Sequence, residues 1–381
     1  MTADAVFVGG GVIGLSSAWR SAQAGLRVMV VDPDPGRGAS WVAAGMLAPV
    51  TEATFGEERL VRLLLAAADR WPSFAASLAE ATGADVGYRP CGTVAVAVDA
   101  SDRAVVDRLL AYQLSLGLDA TRLSASQCRR MVPALSPAVR GGADVPGDHQ
   151  VHNRRLVGAL ADACRAAGVA MVADRVEAVA VGPAGTAVGV RTAGGETLRA
   201  GAVVACAGAG TASLGGLPPG TLPPIRPVKG HVLRLRGPAD APLLARTVRG
   251  LVHGRPCYLV PRDDGTVVVG ATMEERGFDR TVQAGAVHAL LDDARSLVPG
   301  IDELELVECL AGLRPGSPDN APFVGWTSIP GLAVAAGHFR NGILLAPLTA
   351  DTVSSLLAGG PVPEPMAAFG PERVTAATGA R

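Results

Sequence analysis

The chain has 381 residues, 49 % of them apolar and 18 % charged, which excludes a disordered polymer and leaves room for two domains with their own cores. A formal net charge of −1 gives no basic face for nucleic acid or an anionic membrane. No apolar run approaches the roughly 18 residues of a spanning helix and no basic segment precedes the first apolar run, so the expected compartment is the cytoplasm.

In chain order, Ala5–Val8 reads as a buried strand, Gly9-Gly10-Gly11 as a tight turn, Val12 to Ala24 as a helix stopped by Gly25, and Val28–Val31 as a second buried strand. Residues 58 to 82 form one amphipathic helical stretch. Thr93–Val98 reads as a strand, Asp102 to Leu116 as a helix, and 156 to 167 as another. From Val176 to Ala207 three strands separated by turn signals suggest a meander. Strands follow at Gly230–Leu235, Cys257–Pro261, Thr266–Ala271 and Glu303–Leu310, interrupted by a helix from Ala284 to Leu297. A strand at Leu332–Ala335 and a helix from Asn341 to Leu357 close the pattern, and the proline-containing tail after Gly360 reads as loosely held. The six cysteines are scattered without a CxxC pair and read as free buried thiols.

Gly9-x-Gly11-x-x-Gly14 follows a strand and opens a helix, the context that a dinucleotide-binding turn requires. Gly9 permits the turn, Gly11 lets the backbone approach a pyrophosphate, and Gly14 lets the helix pack on the strand. The helix N-terminus supplies amide donors and a positive dipole end. Asp32 ends the second strand, where its carboxylate can accept ribose hydroxyls and repels a 2′-phosphate. This disfavours NADP but does not separate FAD from NAD.

A family resemblance, carried by further stretches, separates them. These stretches are Gly38-Ala39-Ser40 with Ala43-Ala44-Gly45-Met46-Leu47, Val203 to Ala209, and Pro227-Val228-Lys229-Gly230. Cys257 to Arg262 with Val269 to Met273, Ala311 to Ser317 with Asp319, and Ala336 to Pro347 complete the set. Together these resemble the glycine oxidases of the D-amino-acid oxidase superfamily over nearly the whole chain. The resemblance implies an α/β plus α+β fold, a Rossmann-like FAD-binding domain with an inserted antiparallel-sheet substrate domain. Residues 1–84, 148–224 and 311–381 are assigned to the first, and 85–147 and 225–310 to the second.

It implies non-covalent FAD held by Gly9, Gly11, Val12, Ile13, Gly14, Asp32, Pro33, Ala39, Ser40, Ala44, Gly45, Met46, Val176, Gly208 and the run His338, Phe339, Arg340, Asn341, Gly342, Ile343 and Leu344. Cys309 stands where some sarcosine oxidases attach flavin, but its spacing to Asp319 differs. The catalytic candidates are Arg314, whose planar guanidinium can grip a carboxylate through two oxygens, Tyr258 as a second donor, Arg340 beside flavin and substrate, and Met273 in the pocket floor. A surface arginine, a core tyrosine, a structural Arg340 and a filler methionine are the plain alternatives. Glu52 is placed at the pocket mouth. Pro256 stands two residues before Tyr258, near where many glycine oxidases carry a histidine. His149 and His152 have metal-like spacing but no third ligand, and read as a solvated loop.

The activity implied is oxidation of glycine and small amines to glyoxylate, ammonia and hydrogen peroxide. Dioxygen is the second substrate, a homotetramer the implied assembly, and thiazole synthase of the thiamine pathway a candidate partner. An oxidase or dehydrogenase of sarcosine, D-proline or D-amino acids, and a non-catalytic flavoprotein, stay open as alternatives.

Overall fold

The structure is a computed structural model in which residues 3–373 are described. Two eight-stranded sheets organise it. In the first, Ala3–Val8 and Val28–Val31 pair in parallel, joined by helix Val12–Gln23. Ala170–Val172 extends one side, while Thr197–Ala205 and Leu332–Ala336 extend the other, all in parallel. Side chains alternate between faces along each strand. Ala5 and Phe7 meet the helices Val12–Gln23, Asn153–Ala166 and Gly342–Leu357, whereas Val6 and Val8 meet Val179 and Val190 of the meander. Both faces are covered, which is why successive positions are apolar. The first half of Thr197–Ala205 pairs with the meander and the second half with the parallel sheet.

The second sheet runs in the order Glu305–Gly316, Arg226–Arg236, Thr266–Gly270, Arg255–Pro261, Thr247–Val252, Thr93–Ala97, Gly141–Val145, Thr121–Ser124. Every pairing is antiparallel except that between Thr247–Val252 and Thr93–Ala97. Helix Ala284–Leu297 covers one face, burying Leu290, Ala294 and Leu297 against Leu233, Leu259 and Val269. The other face turns toward the first sheet. The observed fold is the Rossmann-like arrangement with an antiparallel partner that the sequence suggests. No helix among the described residues is long and apolar enough to cross a membrane.

Several local expectations need correction. Residues 58 to 82 form two helices, Glu58–Ala68 and Trp71–Thr82. Pro72, which has no amide to donate, starts the second of them, and the break lets Trp71 bury its ring and donate Nε1 to the Leu344 carbonyl at 2.9 Å. Strand Glu305–Gly316 runs past residue 310, because it pairs with Arg226–Arg236 along its whole length. The tail is anchored where Glu364–Phe369 buries Met366 and Phe369, and its last residues, 374–381, lie outside those described. The His149–His152 stretch is no solvated loop. His149–Gln150 pairs with Met46–Leu47, and His152 caps helix Asn153–Ala166 by accepting the Arg155 amide. Of the six free cysteines, Cys91 and Cys309 are only half-buried.

Candidate functional site

A cleft of about 940 Å3 opens between the two sheets. One end is built by the first glycine turn. Gly9 has φ +112°, and a Cβ there would lie 2.6 Å from the Cys206 carbonyl. A Cβ on Gly11 would meet only the Ser40 hydroxyl, at 3.5 Å, so this face stays open to the cleft. Gly14 is where the helix touches the strand, its Cβ position 1.9 Å from the Gly9 carbonyl. Asp32 accepts the Gly10 amide at 2.7 Å and the Asp34 amide at 2.8 Å, and a carboxylate retains lone pairs beyond these for a ligand. Open backbone at a helix N-terminus, an acid at the next strand end and a long cleft beyond fit an adenine dinucleotide such as FAD.

The segment Ala43–Met46 crosses the middle of the cleft. Behind it lies Arg262, 3 % exposed and without a carboxylate partner among the described residues. Its Nη1 donates to Gln150 Oε1 at 2.7 Å and the Val151 carbonyl at 3.0 Å, and its Nη2 to the Ala44 carbonyl. The Gly45 carbonyl accepts the Val151 amide at 2.8 Å. In a trans peptide the amide points opposite its carbonyl. Arg262 therefore turns the Gly45 amide toward the cleft by holding the Ala44 carbonyl from behind. Burial, with Arg234 close by, pushes the Arg262 pKa down to about 9. Arg262→Met leaves these acceptors buried and unpaired, at about 1–3 kcal/mol each. The expected results are a lower melting temperature and an FAD affinity weakened by about tenfold or more; unchanged values in a titration and a melt would refute this positioning role.

At the far end stand the catalytic candidates. Arg314 lies on strand Glu305–Gly316 and its guanidinium covers Gly230 on the neighbouring strand, where a Cβ would sit 2.1 Å from Nη1. Nη1 donates to the Thr272 carbonyl at 3.1 Å. Among the described residues Arg314 has no carboxylate partner, so its remaining donors are available to a ligand. Tyr258 lies across Gly270 in the same way, the Cβ position there being 2.3 Å from its hydroxyl. Burial raises the Tyr258 pKa, which keeps the phenol a donor.

Helix Gly342–Leu357 points its N-terminus into the cleft, and its N-cap residue Asn341 makes no side-chain cap. The turn before it holds Phe339 at φ 47°, a conformation a β-carbon disfavours, and sets Arg340 on the cleft wall. Buried His338 is kept neutral, its pKa pushed down to about 3 by burial.

Arg340 Nε lies 3.0 Å from Glu52, and Arg249 Nη1 lies 2.6 Å from the same carboxylate. Burial opposes ionisation of Glu52, but Arg249 and Arg340 outweigh it and hold the pKa below 4.5. Three guanidiniums thus face one firmly ionised carboxylate, a balance that favours an anionic ligand. Asp148 stands behind, accepting the Val50 and Thr51 amides at 2.9 and 2.8 Å. Burial raises its pKa from 3.8 to about 6, against those donors and Arg249. Between these values the folded chain holds a proton that the unfolded chain has released, so this group's stabilisation is full below about pH 4 and lost as the pH rises through 6. Wild type is therefore expected to lose melting temperature relative to Asp148→Asn from pH 4 to 6, with a flat difference above; a difference constant from pH 4 to 8 would contradict this.

The residues expected at the cofactor all line the cleft except Gly14, which packs helix on strand, and Leu344, which is buried in the core. Met273 is a rim residue and no pocket floor: it is 60 % exposed. The loop that follows it is held by buried Lys229, whose Nζ lies 2.6 Å from Asp279 and 2.9 Å from Gln283. Glu52 lies inside the wall and not at the mouth, because two arginines draw it in. Cys309 packs on the second sheet's core, away from the cleft lining. Sequence reasoning missed Arg249, which belongs to no motif, and Arg262 as an anchor, although its motif was noted.

The profile described as DAO, FAD dependent oxidoreductase, matches residues 4–356. A glycine oxidase of Geobacillus kaustophilus is 36 % identical over 357 residues, covering 93 % of this chain and 92 % of that protein. The bifunctional protein ThiO/ThiG of a Synechocystis species is 33 % identical over 381 residues, covering 99 % of this chain. This chain spans only 55 % of that two-part relative. The crystal structure of the Geobacillus kaustophilus glycine oxidase superposes with a TM-score of 0.88 at 35 % identity, covering 97 % of this chain and 98 % of that one.

Proposed function

Because the chain belongs to the DAO family of FAD-dependent oxidoreductases, we propose that it oxidises glycine, and sarcosine and D-alanine less specifically, to the imine. The observation that carries this reading is the pair Arg314 and Tyr258, each laid over a glycine on the cleft wall with donors free for a carboxylate. Arg314 and Tyr258 hold the substrate carboxylate and thereby fix where Cα stands. The amine end is drawn toward Glu52, while the positive charges of Arg249 and Arg340 favour the uncharged amine, the form that can be oxidised. Bound FAD supplies the two-electron acceptor and passes the electrons to dioxygen. Water then cleaves the imine to glyoxylate and ammonia, so that one glycine, one dioxygen and one water give one glyoxylate, one ammonia and one hydrogen peroxide. The half-matched ThiO/ThiG relatives support a further step, delivery of glycine imine to a thiazole synthase of thiamine formation. Incubation of the FAD-loaded protein with glycine in air tests the reaction: glyoxylate, ammonia and peroxide in equal amounts are expected, and none of the three would overturn it.

A further inference from the structure

A second cavity, of about 210 Å3, lies beside the cleft, and the two share the side chains of Glu52, Arg249, Pro256, Tyr258 and Arg340. Charged groups in this cavity are confined to that shared wall. Beyond it the lining is mostly apolar, with Val96, Val106, Leu110 and Leu251 prominent, and the hydroxyls of Thr51 and Thr54 are engaged by Asp148 and the Glu52 carbonyl. Gln113 spends its amide on the Val50 carbonyl at 3.0 Å. Pro256 brings no hydrogen-bonding side chain to the wall.

The size of the space sets what it can take. An apolar cavity of about 150 Å3 is enough to bind benzene, so this one accommodates a ring-sized group. Its position sets how that group is attached. With the carboxylate at Arg314 and the amine drawn to Glu52, a substituent on nitrogen is directed at the wall that the two cavities share. It leaves both Cα hydrogens of glycine in place.

We propose that the side cavity is a substituent pocket, and that the chain oxidises N-substituted glycines carrying an apolar, ring-sized group. This rests on the glycine-oxidase reading of the same cleft. For N-benzylglycine the amine loses its N–H proton and a Cα–H hydride to become the imine. Water cleaves the C=N bond to glyoxylate and benzylamine, and dioxygen takes up the electron pair and two protons as hydrogen peroxide.

The test compares N-benzylglycine, sarcosine and glycine on the FAD-loaded protein, with glyoxylate and benzylamine quantified. N-Benzylglycine is expected to match or exceed glycine in kcat/KM. Ala95→Leu narrows the cavity from the strand Thr93–Ala97. It is expected to lower the N-benzylglycine value by about tenfold or more while leaving glycine within about twofold. Should that variant fail to fold, Leu109→Phe narrows the space from helix Ala100–Ser115 and decides by the same ratio. The proposal is overturned if N-benzylglycine is neither oxidised nor competitive with glycine, or if the narrowing variant lowers both substrates alike. Oxidation of N-benzylglycine with glycine inert would uphold the pocket and sink the glycine reading alone.

Discussion

Replacing Arg314 with alanine is expected to lower kcat/KM for glycine by about 100- to 10,000-fold, since two charge-assisted hydrogen bonds at about 1.5–3 kcal/mol each are lost together. Glycine offers few other handles: without Arg314, only the Tyr258 hydroxyl and the pull of Glu52 on the amine are left to fix where Cα stands. The effect should fall mainly on KM if the clamp acts in binding, and on kcat as well if it sets Cα in register for reaction. Arg314→Lys keeps the charge without the planar fork and should fall between. Because the hydrogen bonds of Arg314 among the described residues go only to the Thr272 and Lys229 carbonyls, at 3.1 and 3.5 Å, the variant should fold and bind FAD as wild type does. A loss smaller than tenfold would remove Arg314 from the proposed role.

The second large effect is expected at Gly14. A β-carbon there would sit 1.9 Å from the Gly9 carbonyl and 3.0 Å from Cys206 Sγ. The strand and helix that would have to separate are both in the core of the first sheet, and overpacking of this kind costs about 1–3 kcal/mol or more. Gly14→Ala should therefore lower the melting temperature of the FAD-free protein and displace the turn that meets the cofactor. Gly11→Ala is the contrast. Its β-carbon meets only the Ser40 hydroxyl, at 3.5 Å, so the FAD-free protein should melt as wild type does while FAD affinity falls. Melting curves and FAD titrations of the two variants separate packing from cofactor contact. A Gly14→Ala protein with wild-type melting would contradict the packing argument.

What was legible in the sequence follows a physical division. The strand–turn–helix–strand–acid unit at residues 3–32 is local, and its Gly9 and Gly14 have a backbone reason to be glycine. Arg314 and Tyr258 were legible because they sit in motifs, and Gly230 and Gly270 stood in motifs too, but their task of making room for those side chains was hidden because they lie on neighbouring strands. Arg249 left no trace because its meaning depends on Glu52, 197 residues away in sequence. The same distance misplaced Glu52 at the mouth. Met273 was put in the floor by the resemblance, whereas it is exposed on a loop held by a buried lysine ion pair that periodicity does not reveal. Strand Phe323–Trp326 is short and interrupted by Gly325, and it exists because the edge of Leu332–Ala336 is there to pair with.

The central claim is that this cleft brings glycine to a flavin as an electron donor. Its most direct test is to add glycine to the FAD-loaded protein without oxygen and follow the visible flavin absorbance. Bleaching that saturates with glycine, is restored by air and is lost in Arg314→Ala is the predicted result. A flavin that stays oxidised under saturating glycine would contradict it.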